Sequence, residues 1–248
     1  MKTYAIFGAA GRIGKVLCEG LAKDGVTLIL VDRDLKGLKE VQDQIGSGNP
    51  VFECDLCDEK DVENLFSKLS QFDSYIDGIV NLMYPRNENF GSFFEEVSLK
   101  DFQENVGLHL GSYFLVCQKY LELSKSQGHG KIVNFSSIYG SLAPRFWIYE
   151  DLPMTTPVEY AVSKAGLEQL TRYLARYCKG SNIQVNAVAP GGILDGQDLR
   201  FLENYSKYCN SKGMLDSNDL VEAVSFLLGS GSDFMQGQIL TIDDGFSL

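Results

Sequence analysis

The chain has 248 residues and a formal net charge of −11, enough length for one large domain with a substantial core. An acidic balance of this size disfavours nucleic acid and anionic membranes as partners, and no apolar run approaches the roughly 20 residues of a membrane span. Six scattered cysteines fit reduced thiols, and a strand pattern that begins within the first few residues leaves no room for a signal peptide, so the expected location is the cytoplasm.

No linker, low-complexity run or repeat divides the chain, so 1–248 reads as a single domain. Thr3 to Phe7 is a short apolar run, as in a strand buried on both faces. Gly8-Ala9-Ala10-Gly11-Arg12-Ile13-Gly14 follows and opens into a helical pattern through Val16, Leu17 and Leu21. Strand, glycine turn and helix form the setting of a dinucleotide site. Gly8 suits the tight turn, Gly11 the close approach of a pyrophosphate, and Gly14 close helix packing. The next apolar run, Thr27 to Val31, ends at Asp32, placed to accept from ribose hydroxyls and to repel a 2′-phosphate; NAD is therefore expected rather than NADP. Arg12 and Arg33 work against that repulsion.

Leu35 to Ile45 reads as a helix, Val51 to Cys54 as a strand ending in Asp55-Leu56, Asp58 to Leu69 as a helix, and Ile76 to Leu82 as a fourth strand with Asn81 at its end. Cys54 and Cys57 form a C-x-x-C, but the chain has no second pair and its only histidines are His109 and His129, so no metal site is expected. Strands alternating with helices indicate a Rossmann-like, doubly wound parallel α/β sheet of about seven strands, whose ligands bind beyond the strand C-terminal ends.

Leu99 to Leu123 is a long helical pattern with Phe102, Val106, Leu110, Phe114 and Leu121 at apolar positions, and with Asn105 and His109 one turn apart. Lys131 to Phe135 is a fifth strand running into Ser136-Ser137-Ile138-Tyr139-Gly140; Ser141 to Thr156 is irregular. A helix then begins, with Thr156 as its cap, Pro157 at its first position and Glu159 as the acid of a capping box. Tyr160 and Lys164 share a face of this helix, which runs to about Cys178. A free tyrosine has a pKa of about 10, and a neighbouring ammonium lowers it, so the pair suits proton exchange with an alcohol oxygen. Taken alone it fits better a half-buried tyrosine beside a solvated lysine. Ile183 to Ala189 is a sixth strand, ending in Pro190-Gly191-Gly192. Gly196 to Met214 reads as a polar lid, Leu220 to Leu228 as a helix capped by Ser217, and Gln238 to Ile242 as a last strand before Asp243-Asp244-Gly245.

In this order the signals resemble the short-chain dehydrogenase/reductase family in its compact form, over essentially the whole chain. Ser136-Ser137-Ile138-Tyr139-Gly140, Met154-Thr155-Thr156-Pro157-Val158-Glu159-Tyr160 and the end Asp243-Asp244-Gly245-Phe246-Ser247-Leu248 further resemble a bacterial subgroup linked to surface-sugar and flagellin modification, in pathways for nonulosonic acids such as legionaminic acid. The resemblance implies Tyr160 as acid/base and Lys164 as its pKa-lowering partner and nicotinamide-ribose ligand. Ser137 would hydrogen-bond the substrate oxygen, with Ser136 as the alternative. It implies cofactor contacts at Gly8, Gly11, Arg12, Ile13, Asp32, Arg33, Asp55, Leu56, Asn81, Tyr160, Lys164, Pro190, Gly191 and Ile193. A homotetramer or dimer is implied, through the Asn105-to-Leu123 and Tyr160-to-Cys178 helices.

The chain departs from the family pattern in several places. Its glycine loop is spaced G-x-x-G-x-x-G, and Phe7 stands where a threonine is usual. Asn81-Leu82-Met83-Tyr84 replaces Asn-Asn-Ala-Gly, and His109 matches the usual helix asparagine, with Asn105 the nearby substitute. Ser137 and Tyr160 are 23 positions apart, more than usual, which suggests an elaborated pocket. Segments 84–91, 140–156 and 194–216 are the expected substrate loops. Arg86 and Arg145 are candidates for binding an anionic sugar, with Trp147 and Tyr149 as faces for its ring and Glu150 and Asp151 as hydroxyl acceptors. The expected function is an NAD-dependent oxidoreductase acting on a secondary alcohol or ketone of a sugar-like small molecule. The alternatives are a non-catalytic NAD-binding sensor on the same fold and an NAD-retaining sugar epimerase or dehydratase.

Overall fold

The computed structural model describes all residues from Met1 to Leu248. The strands are apolar along their whole length because the fold buries both of their faces. In chain order the elements are β1 (Thr3–Phe7), α1 (Arg12–Ala22), β2 (Thr27–Asp32), α2 (Leu35–Ile45), β3 (Val51–Glu53), α3 (Glu59–Leu69) and β4 (Gly78–Asn81). Then come α4 (Leu99–Gln127), β5 (Gly130–Phe135), the single turn α5 (Ile138–Ser141), α6 (Val158–Tyr177), β6 (Ile183–Pro190), α7 (Leu199–Ser206), α8 (Val221–Leu228) and β7 (Ile239–Ile242). The seven strands form one sheet in the order β3-β2-β1-β4-β5-β6-β7, and every neighbouring pair is parallel. The expected doubly wound sheet is present with its expected strand number. No helix is long and apolar enough to cross a membrane.

Strand alternation divides the core. Ala5, Phe7, Ile29, Val31, Ile79, Ile132 and Val185 face α3, α4 and α6 in a cluster of 24 buried residues. Tyr4, Ile6, Leu28, Leu30, Val80, Val133 and Val188 face α1, α2 and α8 in a second cluster, of 19. A smaller third cluster (Ile138, Ile148, Phe201, Tyr205, Met214 and Phe246) sits apart from both. It joins the segment after β5, the segment after β6 and the chain end above the sheet's C-terminal edge.

Several local readings change. Thr156 does not cap α6: Pro157 stands at the cap position without a side-chain bond, and the Thr156 hydroxyl turns to Tyr149. Glu159 forms no capping box; it is buried and accepts from Asn105 Nδ2. Asp216, not Ser217, caps the turn before α8, in a capping box with Asp219. Segment 196–214 is less polar than it reads, because it carries α7, which buries Phe201 and Tyr205 in the third cluster. On α4 the buried face is Asn105, His109, Ser112, Tyr113, Val116, Cys117, Tyr120, Leu121 and Ser124. Of the apolar stripe read from the sequence, Leu121 is buried, Leu110 packs against the first cluster and Phe114 is left 51% exposed.

Candidate active site

All strands end on one edge, and the loops that leave them converge there. The glycine loop is built by contacts that exclude side chains. Gly8 has φ +89°, a conformation that costs glycine nothing, and a Cβ on Gly14 would lie 2.2 Å from the Gly8 carbonyl oxygen. The first amides of α1 have no helical acceptor and carry the positive end of its dipole. Beside them is a cavity of about 230 Å³ bordered by Gly8, Gly11, Asp32, Arg33, Cys54, Asp55, Leu56 and Cys57. The Asp32 carboxylate accepts from Ala10 N at 3.1 Å and Asp34 N at 3.2 Å, so it braces the glycine loop and faces the cavity at once.

A second cavity, of about 400 Å³, lies at the ends of β5 and β6. Its lining includes Arg12, Ile13, Ser137, Tyr160, Lys164, Pro190, Gly191 and Ile193. Both cavities share Leu82, Met83 and Tyr84, so they meet at the end of β4. A long trough with helix-terminal amides in its middle fits a dinucleotide: Asp32 and Asp55 stand at one end, Tyr160 and Lys164 at the other.

The α6 turn brings Tyr160 and Lys164 beneath the larger cavity. Lys164 is buried, and its ammonium donates to Phe135 O at 2.6 Å and lies 5.7 Å from the Tyr160 ring centre. Burial lowers its pKa to about 7. The Tyr160 phenol moves up from its usual value because burial outweighs the neighbouring Ser137 hydroxyl, which acts the other way. In the free site, then, desolvation rather than the lysine sets the Tyr160 pKa, contrary to the reading from spacing alone. Ser137 lies beside the phenol and caps α5. Ser136 points inward to Lys164 O and Glu168, which leaves Ser137 as the serine of the pair beside Tyr160.

His109 is buried and packs among Tyr84, Tyr113 and Tyr160, with ring centres 5.2, 5.8 and 6.3 Å away. Its Nε2 has no hydrogen-bond partner. Burial first, and Lys164 second, hold its pKa down at about 2, so the ring is neutral at working pH. Asn105 does not stand in for the missing asparagine. Its amide is spent on Asn87 N, Asn87 Oδ1 and Glu159 Oε1, which pins the loop carrying Tyr84 to α4 and α6.

Other expected site residues fall outside the trough. The Asn81 amide turns into the core, donating to Asn134 Oδ1 at 2.8 Å, because β4 is central and its end is buried. Arg145 stacks over Tyr208 and Phe246, at 4.4 and 4.8 Å, and donates to Leu248 O; it holds the chain end. Arg86 lies 5.2 Å from the Tyr84 ring centre and lines neither cavity. Trp147 is on the outer surface beside Glu150 and Asp151 and donates to Tyr208. Of the four substrate candidates, only Tyr149 lines the larger cavity.

The residues missed by sequence reading include a set of aromatic rings: Tyr84, Tyr113, Tyr139, Phe201 and Tyr205 line that cavity. The tyrosines of segment 194–216 were the one available signal. Asp244, at φ +51°, fixes the approach to Met214 by accepting from the amides of Ser211, Lys212 and Gly213. Arg12 reaches across to Leu194 O and Asp195.

Known proteins agree with this geometry. Residues 8–247 match the family profile described as enoyl-(acyl carrier protein) reductase. The chain belongs to the short-chain dehydrogenase/reductase family, NAD(P)-binding oxidoreductases that act on CH–OH groups. It is 38% identical, over its whole length and 98% of the relative, to post-translational flagellin modification protein A of Campylobacter coli. It is 27% identical to the human 3-oxoacyl-[acyl-carrier-protein] reductase, across the whole chain and 98% of that protein. A short-chain dehydrogenase from Leptospira borgpetersenii, solved with bound NAD+, superposes with a TM-score of 0.87 at 31% identity, covering 100% of this chain and 93% of that one.

Burial of Lys164 predicts a stability effect with a definite sign. The unfolded lysine is protonated below about pH 10.5, and the folded one only below about 7. The destabilisation is therefore full at or below pH 7 and fades as pH rises toward 10.5. Lys164→Met should melt no earlier than the parent at about pH 6, because Tyr113 still donates to Phe135 O, and its advantage should shrink toward about pH 10. Thermal melts at both pH values check this; a variant that melts well below the parent at each would show that the lost Phe135 bond dominates.

Proposed function

We propose that this protein is an NAD-dependent, cytoplasmic oxidoreductase that interconverts a secondary alcohol and a ketone on a sugar-like metabolite, in the making of a bacterial surface or flagellar glycan. The observation that carries this reading is the convergence of Ser137, Tyr160 and Lys164 on one cavity joined to a dinucleotide trough. The kinship with a flagellin modification protein supports the glycan context. A non-catalytic NAD sensor has no need of all three groups beside a second cavity.

Bound nicotinamide supplies the hydride acceptor or donor. In the reducing direction, Ser137 donates to the substrate carbonyl oxygen and Tyr160 gives its phenolic proton to that oxygen as the carbon gains hydride. In the oxidising direction, Tyr160 as phenolate takes the hydroxyl proton. Lys164, protonated below about pH 7, stabilises that phenolate. Neutral His109, with its unpartnered Nε2, offers a hydrogen-bonding position behind the pair in place of the usual asparagine. Asp32 accepts from the adenosine ribose, and Asp55 stands at the adenine end.

Tyr160→Phe should retain NAD binding and lose turnover by about 10²-fold or more, measured on a panel of sugars and sugar phosphates. Loss of less than about threefold would sink the acid/base role. In the same panel His109→Ala should slow turnover without moving the melting temperature or NAD affinity, whereas earlier melting alone would make His109 a core residue.

Asp32→Ala should narrow the preference for NAD over NADP, since it removes both the ribose acceptor and the repulsion of a 2′-phosphate. The ratio of the two dissociation constants is the measurement, and an unchanged ratio assigns ribose reading to another residue.

Exposed Phe114 on α4, together with Val162 of α6, 43% exposed, supports a homo-oligomer built through these helices. Light scattering should give a dimer or tetramer for the parent and a smaller mass for Phe114→Glu; a monomeric parent would refute it.

A further inference from the structure

The larger cavity carries hydroxyl groups whose protons nothing in the chain uses. Thr156 Oγ1 donates to Tyr149 Oη at 2.7 Å, and Tyr149 Oη and Tyr139 Oη are 3.2 Å apart. Three hydroxyls joined by two hydrogen bonds always leave one proton over, whichever way each bond runs. Tyr205 Oη accepts from Gly192 N at 2.7 Å, and no acceptor in the chain takes its own proton. Tyr139, Tyr149 and Tyr205 all line the cavity. They are held there by the third core cluster and by Phe201, whose ring lies 5.2 Å from that of Tyr149.

The same wall offers no charged partner. The cavity's two cations are committed: Lys164 donates to Phe135 O, and Arg12 is held by Leu194 O and Asp195.

Resting on the oxidoreductase reading above, we infer that Tyr205 and the Tyr139–Tyr149–Thr156 hydroxyl chain are specificity-determining residues that select a polyhydroxylated ring over an acyl chain, each donating one hydrogen bond to a substrate oxygen near the reacting carbinol. An acyl chain filling this space would bury both donors unpaired, and that cost falls on the wrong substrate alone. A sugar-like ring satisfies both donors and lays its C–H faces on Phe201, Met154 and Met214. Any ionised group of the substrate stays toward the mouth of the cavity, away from this wall.

The test uses three probes with NAD or NADH: a set of hexoses and inositols, cyclohexanol as a ring with a single hydroxyl, and acetoacetyl thioester as a short acyl substrate. The parent should prefer the polyols. Tyr205→Phe and the double variant Tyr139→Phe with Tyr149→Phe, which removes both cavity hydroxyls of the chain, should each lower the polyol-to-cyclohexanol ratio of kcat/KM at least about tenfold, mainly through KM. An unchanged ratio overturns the inference, as does a parent that prefers the thioester; the latter outcome leaves the oxidoreductase reading intact. Saturation-transfer NMR of polyol binding, in the parent and the double variant with NADH present, needs no turnover. Binding that is lost in the double variant supports the inference even if catalysis fails, and a parent that binds no polyol overturns it.

Discussion

One hydrogen bond organises the reactive end of this protein: the Lys164 ammonium donating to the carbonyl of Phe135. Phe135 is the last residue of β5, so the bond ties α6 to the end of a central strand. The lysine is buried at this point, and desolvation brings its pKa to about 7. The carbonyl is thus the partner that makes a buried ammonium tolerable. Tyr160, one turn earlier on α6, is placed by the same contact, and Ser137, two residues past Phe135, comes to its side. Glu168 strengthens the arrangement from the next turn of α6 by accepting from Ser136, Ser141 and Arg172.

Around this centre the chain uses tyrosines where polar or charged groups were expected. Tyr84 replaces a small residue after β4, and its ring stands edge-on to Tyr160 and His109, 5.7 and 5.2 Å away. Asn105, Asn87 and Glu159 hold the loop that carries it. Across the cavity α7 and the chain end bring Tyr205 and Phe246 into a stack at 4.2 Å. Arg145 is drawn to that outer aromatic group, which is why an arginine in an expected substrate loop does not line the cavity. Its charge is offset by two ring faces and a terminal carbonyl, an arrangement made by residues some 60 to 100 positions away along the chain.

The fold and cofactor trough were largely legible in the sequence because their signals are local. Apolar runs without alternation specify strands buried on both faces. The glycine spacing builds the turn before α1, where a Cβ on Gly14 would strike the Gly8 carbonyl. An acid at a strand end is delivered to the common edge by the parallel topology, which is why Asp32 and Asp55 were readable. Tyr160 and Lys164 were readable because four residues make about one helical turn. Each of these is settled within a few residues of chain.

Tertiary structure alone decided the rest. It turned the Asn81 amide inward onto Asn134 and committed Asn105 to a loop clamp instead of a relay. It distinguished Ser137 from Ser136, since only packing against α6 gives Ser136 an inward partner. It removed Arg86, Arg145 and Trp147 from the cavity and brought in Tyr139, Phe201 and Tyr205. Burial reversed the simple expectation for the Tyr160 pKa, because desolvation depends on how much protein surrounds a group and leaves no trace in spacing. The sequence by itself determined which strand edge would gather the loops and that Tyr160 and Lys164 would share one helix face there. The direction and desolvation of each side chain were decided by contacts between segments far apart in the chain, and local pattern does not encode these.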